Sequence, residues 1–331
     1  MNRTKGKIIM RIVIRSGPKI VLLPSLLIIY ISSSLFAQDS LQHFLTQGGL
    51  KLSIREYAAA RTQYQNALRF DSLNVEAIRN LGVIASALGD QEQALVYLQK
   101  AYKMQPNDPQ LSNNIGAILS EQKKSGEAIG YYEAAVRLDS TKSLYLTNLG
   151  IEYLRAGRPQ QALGVLKRAQ PIDTANPIIY FNMGNAFAAQ QMYDSAEYYY
   201  ERSKAYGGEA PDLFYFLGVV KRNLGKMDGA EEAFKGAVKR NPSYKEALQS
   251  LGLLYIRQTK YAEAAKEFEK VVKLDSTFMP GVISLGATYA LINRSKEADA
   301  ILAKLMKADS SLGYRMLTLI QQERVRLPKA K

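Results

Sequence analysis

The sequence contains no cysteine, no tryptophan and a single histidine among its 331 residues. Without cysteine, thiol nucleophiles, disulfide frameworks and zinc sites built on thiolates are excluded. The histidine, His43, stands alone and is expected at the surface, and the chain has no glycine-rich phosphate loop or metal-ligand spacing. Acid pairs such as Glu231–Glu232 and Glu263–Glu267 stand among lysines, which favours ion pairing over acid–base catalysis. The sequence therefore predicts no enzymatic activity, no cofactor and no bound metal.

Charge is distributed unevenly along the chain. The formal net charge is +14, and residues 1–37 contribute six cations and no acid: Arg3, Lys5, Lys7, Arg11, Arg15 and Lys19. Without these six the net charge falls to +8. Such a mild basic bias permits anionic partners but identifies none. No nucleic-acid partner is expected.

The first 37 residues have the pattern of a secretory signal peptide. The basic stretch precedes an apolar run, Ile20–Ile31, that continues to Ala37 before polar Gln38. We expect cleavage after Ala37. The alternative is an uncleaved membrane anchor, because the stretch from Ile20 to Ala37 is just long enough to span a bilayer.

Both alternatives place the rest of the chain outside the cytoplasm, since the basic flank stays on the cytoplasmic side. The protein is thus expected to be exported, and periplasmic or extracellular. If the segment is uncleaved, the protein is instead anchored in the inner membrane with its repeats outside the cytoplasm. Membrane contact is expected only through this segment. Residues 38–40 are predicted as a short linker.

Two small residues recur along the chain at one constant interval. Glycine does so at 48, 82, 116, 150, 184, 218, 252 and 286, and alanine at 60, 94, 128, 162, 196, 230, 264 and 298. The glycine series alone would arise by chance with a probability on the order of 10⁻⁹. With this glycine as position 8, eight gapless repeats span 41–74, 75–108, 109–142, 143–176, 177–210, 211–244, 245–278 and 279–312.

Each repeat carries the apolar pattern of two amphipathic helices. Apolar side chains fall at positions 4, 7 and 11 and again at 20, 24 and 27, which is helical spacing in both halves. Turn residues such as Gly89–Asp90 separate the halves, and Pro109 and Pro177 stand at the start of first helices. Small residues at positions 8 and 20 are expected to let the two helices approach closely.

These recurring positions resemble the tetratricopeptide repeat (TPR) family over residues 41–312. The family's usual tryptophan at position 4 is absent, and residues such as Phe44 and Ile78 stand there. The resemblance implies an all-α fold, a right-handed α–α superhelix (TPR solenoid) of eight 34-residue helix-turn-helix repeats. First helices would line a concave groove.

The residues after the last repeat continue the helical pattern. Residues 313–331 are predicted as a capping helix and a basic tail. The apolar face is expected to hold Met316, Leu319 and Ile320, with Gln321–Arg324 on the opposite, polar face.

The resemblance places positions 5, 6, 9, 12 and 13, among others, on the groove. Asparagine occupies position 6 in four consecutive repeats and position 9 in one: Asn80, Asn114, Asn148, Asn182 and Asn185. A ladder of side-chain amides offers a donor and an acceptor in each repeat, which suits the backbone of an extended peptide. The alternative is that each asparagine contacts its own helix or water.

Aromatic residues share the predicted groove. Phe181, Tyr215 and Phe216 stand at positions 5 and 6. They can hold an apolar anchor of a partner, or else pack on neighbouring first helices.

Basic residues stand there too. Arg155, Arg222 and Arg257 occupy position 12 or 13, and Arg79 occupies position 5. They can favour an acidic segment, a carboxylate or an anionic polymer, or simply be solvated. The lysine, asparagine and arginine set with which some TPR proteins clamp a chaperone carboxylate is absent from every three consecutive repeats.

The resemblance implies a non-enzymatic interaction scaffold of the cell envelope that binds a segment of a protein or peptide partner in the groove. Two alternatives stay open. One is recognition of an anionic envelope polysaccharide or polymer through the groove arginines, and the other is a passive spacer with no ligand.

Overall fold

A computed structural model describes the backbone from Leu23 to Arg326 and the side chains of residues 36–325. The basic stretch of the predicted signal peptide or anchor and the end of the basic tail lie outside these residues. Within them the chain forms seventeen α-helices and no strand. The predicted all-α repeat fold is confirmed.

The helices belong to two compact units. The first unit, Met1–Ile118, holds α1 (Leu23–Ser53), α2 (Tyr57–Phe70), α3 (Val75–Ala87), α4 (Gln91–Met104) and most of α5 (Pro109–Glu121). The second unit, Leu119–Lys331, holds the end of α5 and then α6 (Ser125–Leu138), α7 (Ser143–Arg155), α8 (Pro159–Ala169), α9 (Pro177–Ala189), α10 (Tyr193–Ala205), α11 (Pro211–Asn223), α12 (Met227–Arg240), α13 (Lys245–Arg257), α14 (Tyr261–Leu274), α15 (Met279–Leu291), α16 (Ser295–Ala308) and α17 (Ser310–Arg326).

Helix starts follow the sequence period. From α3 to α15, every first helix begins at position 1 of its repeat. From α2 to α16, every second helix begins at position 17. Caps set some of these starts, since Asn74 accepts a hydrogen bond from the Ala77 amide and Asp90 from the Gln93 amide. Proline is the first residue of α5, α8, α9 and α11. An N–H at this position would have no partner within the helix, so its absence in proline costs no hydrogen bond.

The turn between the two helices of a repeat requires a left-handed residue at position 15. Glycine supplies it at Gly89, Gly157 and Gly225, with φ between 70° and 86°. The other five repeats place a residue with a side chain there at φ near 60°: Arg55, Lys123, Gln191, Thr259 and Asn293. A left-handed backbone costs such residues free energy, and a β-branched threonine most of all.

We expect Thr259→Gly to raise the free energy of unfolding by about 0.5–1 kcal/mol, because relief of the left-handed strain outweighs the greater backbone entropy of glycine. Urea denaturation followed by circular dichroism measures the change. Asn293→Gly is the matched control and should gain less, since asparagine tolerates this conformation. A destabilised Thr259→Gly variant would contradict the argument.

The recurring glycine at position 8 faces a large side chain in the second helix of its own repeat. A Cβ added to Gly184 would lie 2.5 Å from Cδ1 and Cε1 of Tyr200, and one added to Gly252 would lie 2.5 Å from Cε1 of Phe268. The same holds for Gly218 against Phe234, where the distance is 2.6 Å. A Cβ added to Gly82 would also lie 3.3 Å from the carbonyl oxygen of Ala94 at position 20, in agreement with the close helix approach expected there. Glycine at position 8 makes room for the bulky residue at position 24.

The last helix starts earlier than predicted. A single residue, Asp309, joins α16 to α17, so α17 begins at Ser310, three residues ahead of the sequence period. Counted from Ser310, Gly313, Met316 and Ile320 take positions 4, 7 and 11, and all three are buried. The predicted polar face is wrong for Glu323, which is 6% exposed. Glu323 follows Met316 by seven residues and Ile320 by three, so it lies on the same buried face of α17.

Helix α1 continues without a break through the first repeat. Residues 38–40, predicted as a linker, lie inside it. Leu45 of α1 is buried in a cluster with Ala60 and Tyr64 of α2, and Leu41 and Phe44 pack against that cluster. Among the described residues, no helix has both the length and the apolarity that a membrane span requires.

Candidate functional site

The exposed face of the first helices in the second unit carries a row of half-buried side chains at position 9. The row consists of Ile151 on α7, Asn185 on α9, Val219 on α11 and Leu253 on α13. Three of the four are apolar, so a partner that covers this face would bury apolar surface. We did not predict this row from the sequence, although its signal, an apolar residue at a groove position, was present.

Phe181, Tyr215 and Phe216 lie together beside that row. The ring centroids of Phe181 and Phe216 are 6.2 Å apart, and those of Tyr215 and Phe216 are 5.3 Å apart. Tyr215 also packs on Phe234 of the second helix of its repeat, at 6.0 Å. These rings therefore support one another, as the packing alternative predicted. Phe216 nonetheless keeps 37% of its surface exposed and can contact a partner.

Four of the five predicted asparagines, all but Asn114, make polar contacts inside the protein. Asn80 Nδ2 donates to the Tyr64 hydroxyl at 2.8 Å, and Asn182 Nδ2 donates to the Ile178 carbonyl at 2.8 Å. Asn185 Oδ1 accepts from the Tyr200 hydroxyl at 2.7 Å. For these residues the structure favours the alternative of contacts within the protein. Asn148 is half-buried.

Asn114 differs because the preceding repeat has a leucine at position 24. In the first repeat, Tyr64 at position 24 accepts a hydrogen bond from Asn80. Leu98 occupies the same position in the second repeat and has no hydroxyl to accept one from Asn114. Among the described residues the Asn114 side chain has no hydrogen-bond partner. It borders a pocket of about 240 Å³ in the first unit, together with Val83, Leu98 and Ile118.

Two of the four arginines are paired inside the protein. Arg79 Nη1 lies 3.4 Å from Asp108 Oδ2. Arg155 donates to the Ser120 hydroxyl, which donates to Glu152 Oε2 at 2.5 Å. Glu152 is only 1% exposed, so the arginine partly compensates a buried carboxylate.

The other two arginines are available for ligands. Arg222 is half-buried and Arg257 is exposed. Neither has an ion-pair partner among residues 36–325. They are the only two of the predicted groove cations in that range that keep their full donor capacity.

Tyrosine hydroxyls link consecutive repeats of the second unit. Tyr153 donates to Glu133 Oε1 at 2.6 Å, and Tyr289 donates to Glu269 Oε1 at 2.8 Å. Burial, and then the bond to the carboxylate, raises the pKa of each tyrosine to about 12. Both hydroxyls therefore stay protonated at neutral pH. They stabilise the stack of repeats and offer no acid or base.

Residues for metal binding are not grouped. Within the described part of the chain, no three histidine, aspartate or glutamate side chains are placed to hold a metal ion. His43 is exposed and packs edge-on against Phe44, with ring centroids 5.5 Å apart.

The helix pairs recur with a fixed period, and their first helices carry a row of half-buried side chains. These features define a helical-repeat protein of the kind that presents an extended surface. The model of the tetratricopeptide repeat family matches residues 45–109, 86–143, 147–213 and 215–277. These segments cover more than half of the sequence, and the chain belongs to that family.

Solved structures agree with this fold. YrrB, a TPR protein with an unusual peptide-binding site, is 23% identical with a TM-score of 0.50; the match covers 56% of this chain and 97% of YrrB. PilF of Pseudomonas aeruginosa is 20% identical with a TM-score of 0.58, over 64% and 96% of the two chains. A TPR protein from Parabacteroides merdae is 15% identical with a TM-score of 0.57, over 76% and 99%. A comparison with curated proteins gives no match.

Proposed function

We propose that this protein is a non-catalytic scaffold of the cell envelope that binds an extended segment of a partner protein along the first helices of its second unit. TPR proteins are generally scaffolds for protein interactions. The observation that carries the proposal is the exposed apolar surface around Phe216, flanked by Val219 and supported from below by Tyr215.

An exposed aromatic ring held by other rings is well suited to bind a partner. Phe216 is fixed by Phe181 and Tyr215, so little side-chain entropy is lost when a ligand covers it. Burial of the remaining exposed ring surface then contributes to affinity. Aromatic residues of this kind carry a large share of the binding energy in protein interfaces.

The groove arginines support a smaller electrostatic contribution. Arg79 pairs with Asp108, and Arg155 is engaged by Ser120 and Glu152. Arg222 and Arg257 remain to contact an acidic group. We therefore favour a protein partner over an anionic polymer, whose binding would need a longer row of free cations.

The location in the envelope rests on the N-terminal sequence. Six cations followed by an apolar run up to Ala37 would direct the chain to export. Fractionation of native cells and determination of the mature N-terminus test this part separately. A cytosolic chain that still begins with Met1 would contradict it.

Substitution of Phe216 tests the binding surface. We expect Phe216→Ala to reduce cross-linking to the native partner by about 10-fold or more, since loss of such an aromatic anchor costs about 2 kcal/mol. The measurement is photo-cross-linking from a probe placed at Arg257 in cells that produce the full chain, followed by mass spectrometry.

Tyr198→Ala is the matched control, because Tyr198 is an exposed aromatic on the second helix α10. It should leave the cross-linked products unchanged. Equal capture by wild type and Phe216→Ala would remove this surface from the binding site. Capture that disappears between low and moderate salt would favour a charged polymer instead.

A further inference from the structure

A cleft of about 380 Å³ lies between α13, α15 and α17, in the second unit. Leu253 of α13, Ile283 of α15 and Leu319 of α17 form its apolar floor. Ile283 is buried, whereas Leu253 and Leu319 are half-buried. The cleft has room for one or two residues of a peptide.

The shifted register of α17 brings a cation to this cleft. Counted from Ser310, Arg315 takes position 6 and Thr318 takes position 9, which are among the positions predicted to face the groove. Both residues line the cleft. Had α17 followed the sequence period and begun at residue 313, Arg315 would take position 3.

Arg315 has its full capacity to bind an anion. The side chain is exposed, and no residue of the described chain forms an ion pair with it. A guanidinium has a planar fork of donors that matches the two oxygens of a carboxylate.

Gln249 supplies an unpaired amide atom. Its Nε2 donates to Ser284 Oγ at 3.0 Å, while its Oε1 is buried with no hydrogen-bond partner in the described residues. Flipping the amide end for end would exchange donor and acceptor and still leave one of the two atoms unpaired. Because this atom is buried, a ligand N–H reaches it only when the Gln249 amide turns toward the cleft that the residue lines. An unpaired buried polar atom is costly, so the partner gained in this way strengthens binding.

These features call for three groups close together: an apolar side chain, a backbone amide and a carboxylate. The last residue of a polypeptide carries all three on one Cα. An internal acidic residue would need two neighbouring residues to supply them.

We infer that this cleft binds the C-terminal residue of the partner segment. Its carboxylate pairs with Arg315, its amide pairs with Gln249, and its apolar side chain lies on Leu253, Ile283 and Leu319. The inference rests on the proposed function and makes α17 a part of the recognition surface as well as the end of the repeat array.

Selection from a random peptide library displayed with free carboxyl termini tests the inference, with the full chain as bait. Affinity of the selected peptides is measured by fluorescence polarisation. We expect an apolar last residue. Amidation of the terminal carboxylate, or Arg315→Ala, should weaken binding by about 10-fold or more, because both remove a charge-assisted hydrogen-bond pair.

Arg324→Ala is the matched control, since Arg324 is an exposed cation on the same helix outside the cleft. It should leave affinity unchanged, and Arg315→Lys should retain part of it. Equal urea midpoints for Arg315→Ala and wild type show that the fold is intact.

The inference would be overturned if no peptide were enriched, if amidation had no effect, or if Arg315→Ala bound equally well. Equal enrichment from a library displayed with free amino termini would assign the cleft to internal segments and would also overturn it. Each of these results leaves the scaffold proposal to be decided by the Phe216 cross-linking experiment.

Discussion

Replacing Phe268 by alanine is expected to lower the free energy of unfolding by about 3–5 kcal/mol. Phe268 is fully buried in a cluster that includes Leu251, Val282 and Leu285. Its removal forfeits the transfer free energy of the ring and leaves a cavity against Gly252, which has no side chain to fill it.

Equilibrium unfolding in urea, followed by circular dichroism, measures this loss. Phe216→Ala is the matched control, since that ring is 37% exposed and its removal should cost much less. A Phe268→Ala variant as stable as the control would show that the residue at position 24 is not the centre of the repeat core.

Adding a single methyl group at Gly184 is the second expected large effect. The new Cβ would lie 2.5 Å from the Tyr200 ring, which is fully buried and hydrogen-bonded to Asn185 and so cannot move aside freely. We expect Gly184→Ala to lower the free energy of unfolding by about 1–3 kcal/mol.

The matched control is Gly164→Ala. Gly164 is also helical, in α8, but a Cβ there would meet nothing within 4 Å. This change should stabilise the protein by about 0.5–1 kcal/mol through the lower entropy of the unfolded chain. If Gly184→Ala lowers the free energy of unfolding and Gly164→Ala raises it, the loss at Gly184 is steric and does not come from helix propensity.

A double-mutant cycle provides the sharper test. In a Tyr200→Ala background, Gly184→Ala should lose its penalty, because the ring that it strikes is gone. We expect a coupling free energy of at least about 1 kcal/mol between the two positions. Additive effects would show that the glycine serves some purpose other than making room for Tyr200.

The helices were predictable from the sequence because each one repeats. Eight copies of one pattern average out the irregularities of any single helix. The glycine at position 8 then gives the register of every repeat. The start of the last helix was missed because the helix lies outside the eight repeats, and Ile320 rather than glycine stands 34 residues after Gly286. Its own apolar residues, Met316 and Ile320, nevertheless fit positions 7 and 11 once the helix is started at Ser310.

The candidate site was less predictable, because hydrogen bonds depend on pairs of distant residues. Asn80 bonds to the tyrosine at position 24 of the preceding repeat. Asn182 and Asn114 both follow a leucine at that position, but Asn182 bonds to a carbonyl of its own helix, whereas Asn114 has no partner among the described residues. Thr259 shows the same limit for the backbone, as only the alignment with Gly89 and Gly225 reveals a left-handed turn there. Single-residue preferences do not contain this information.

If the predicted signal peptide is cleaved, the unbroken course of α1 constrains when cleavage can occur. Proteases cut exposed, extended segments far more readily than helices. A signal peptidase acting after Ala37 would therefore have to act on the nascent chain before α1 coils, and a chain that folds first would escape processing. Cleavage after Ala37 would leave Leu41, Phe44 and Leu45 in the chain. The rest of α1 would therefore keep the side chains that pack against α2.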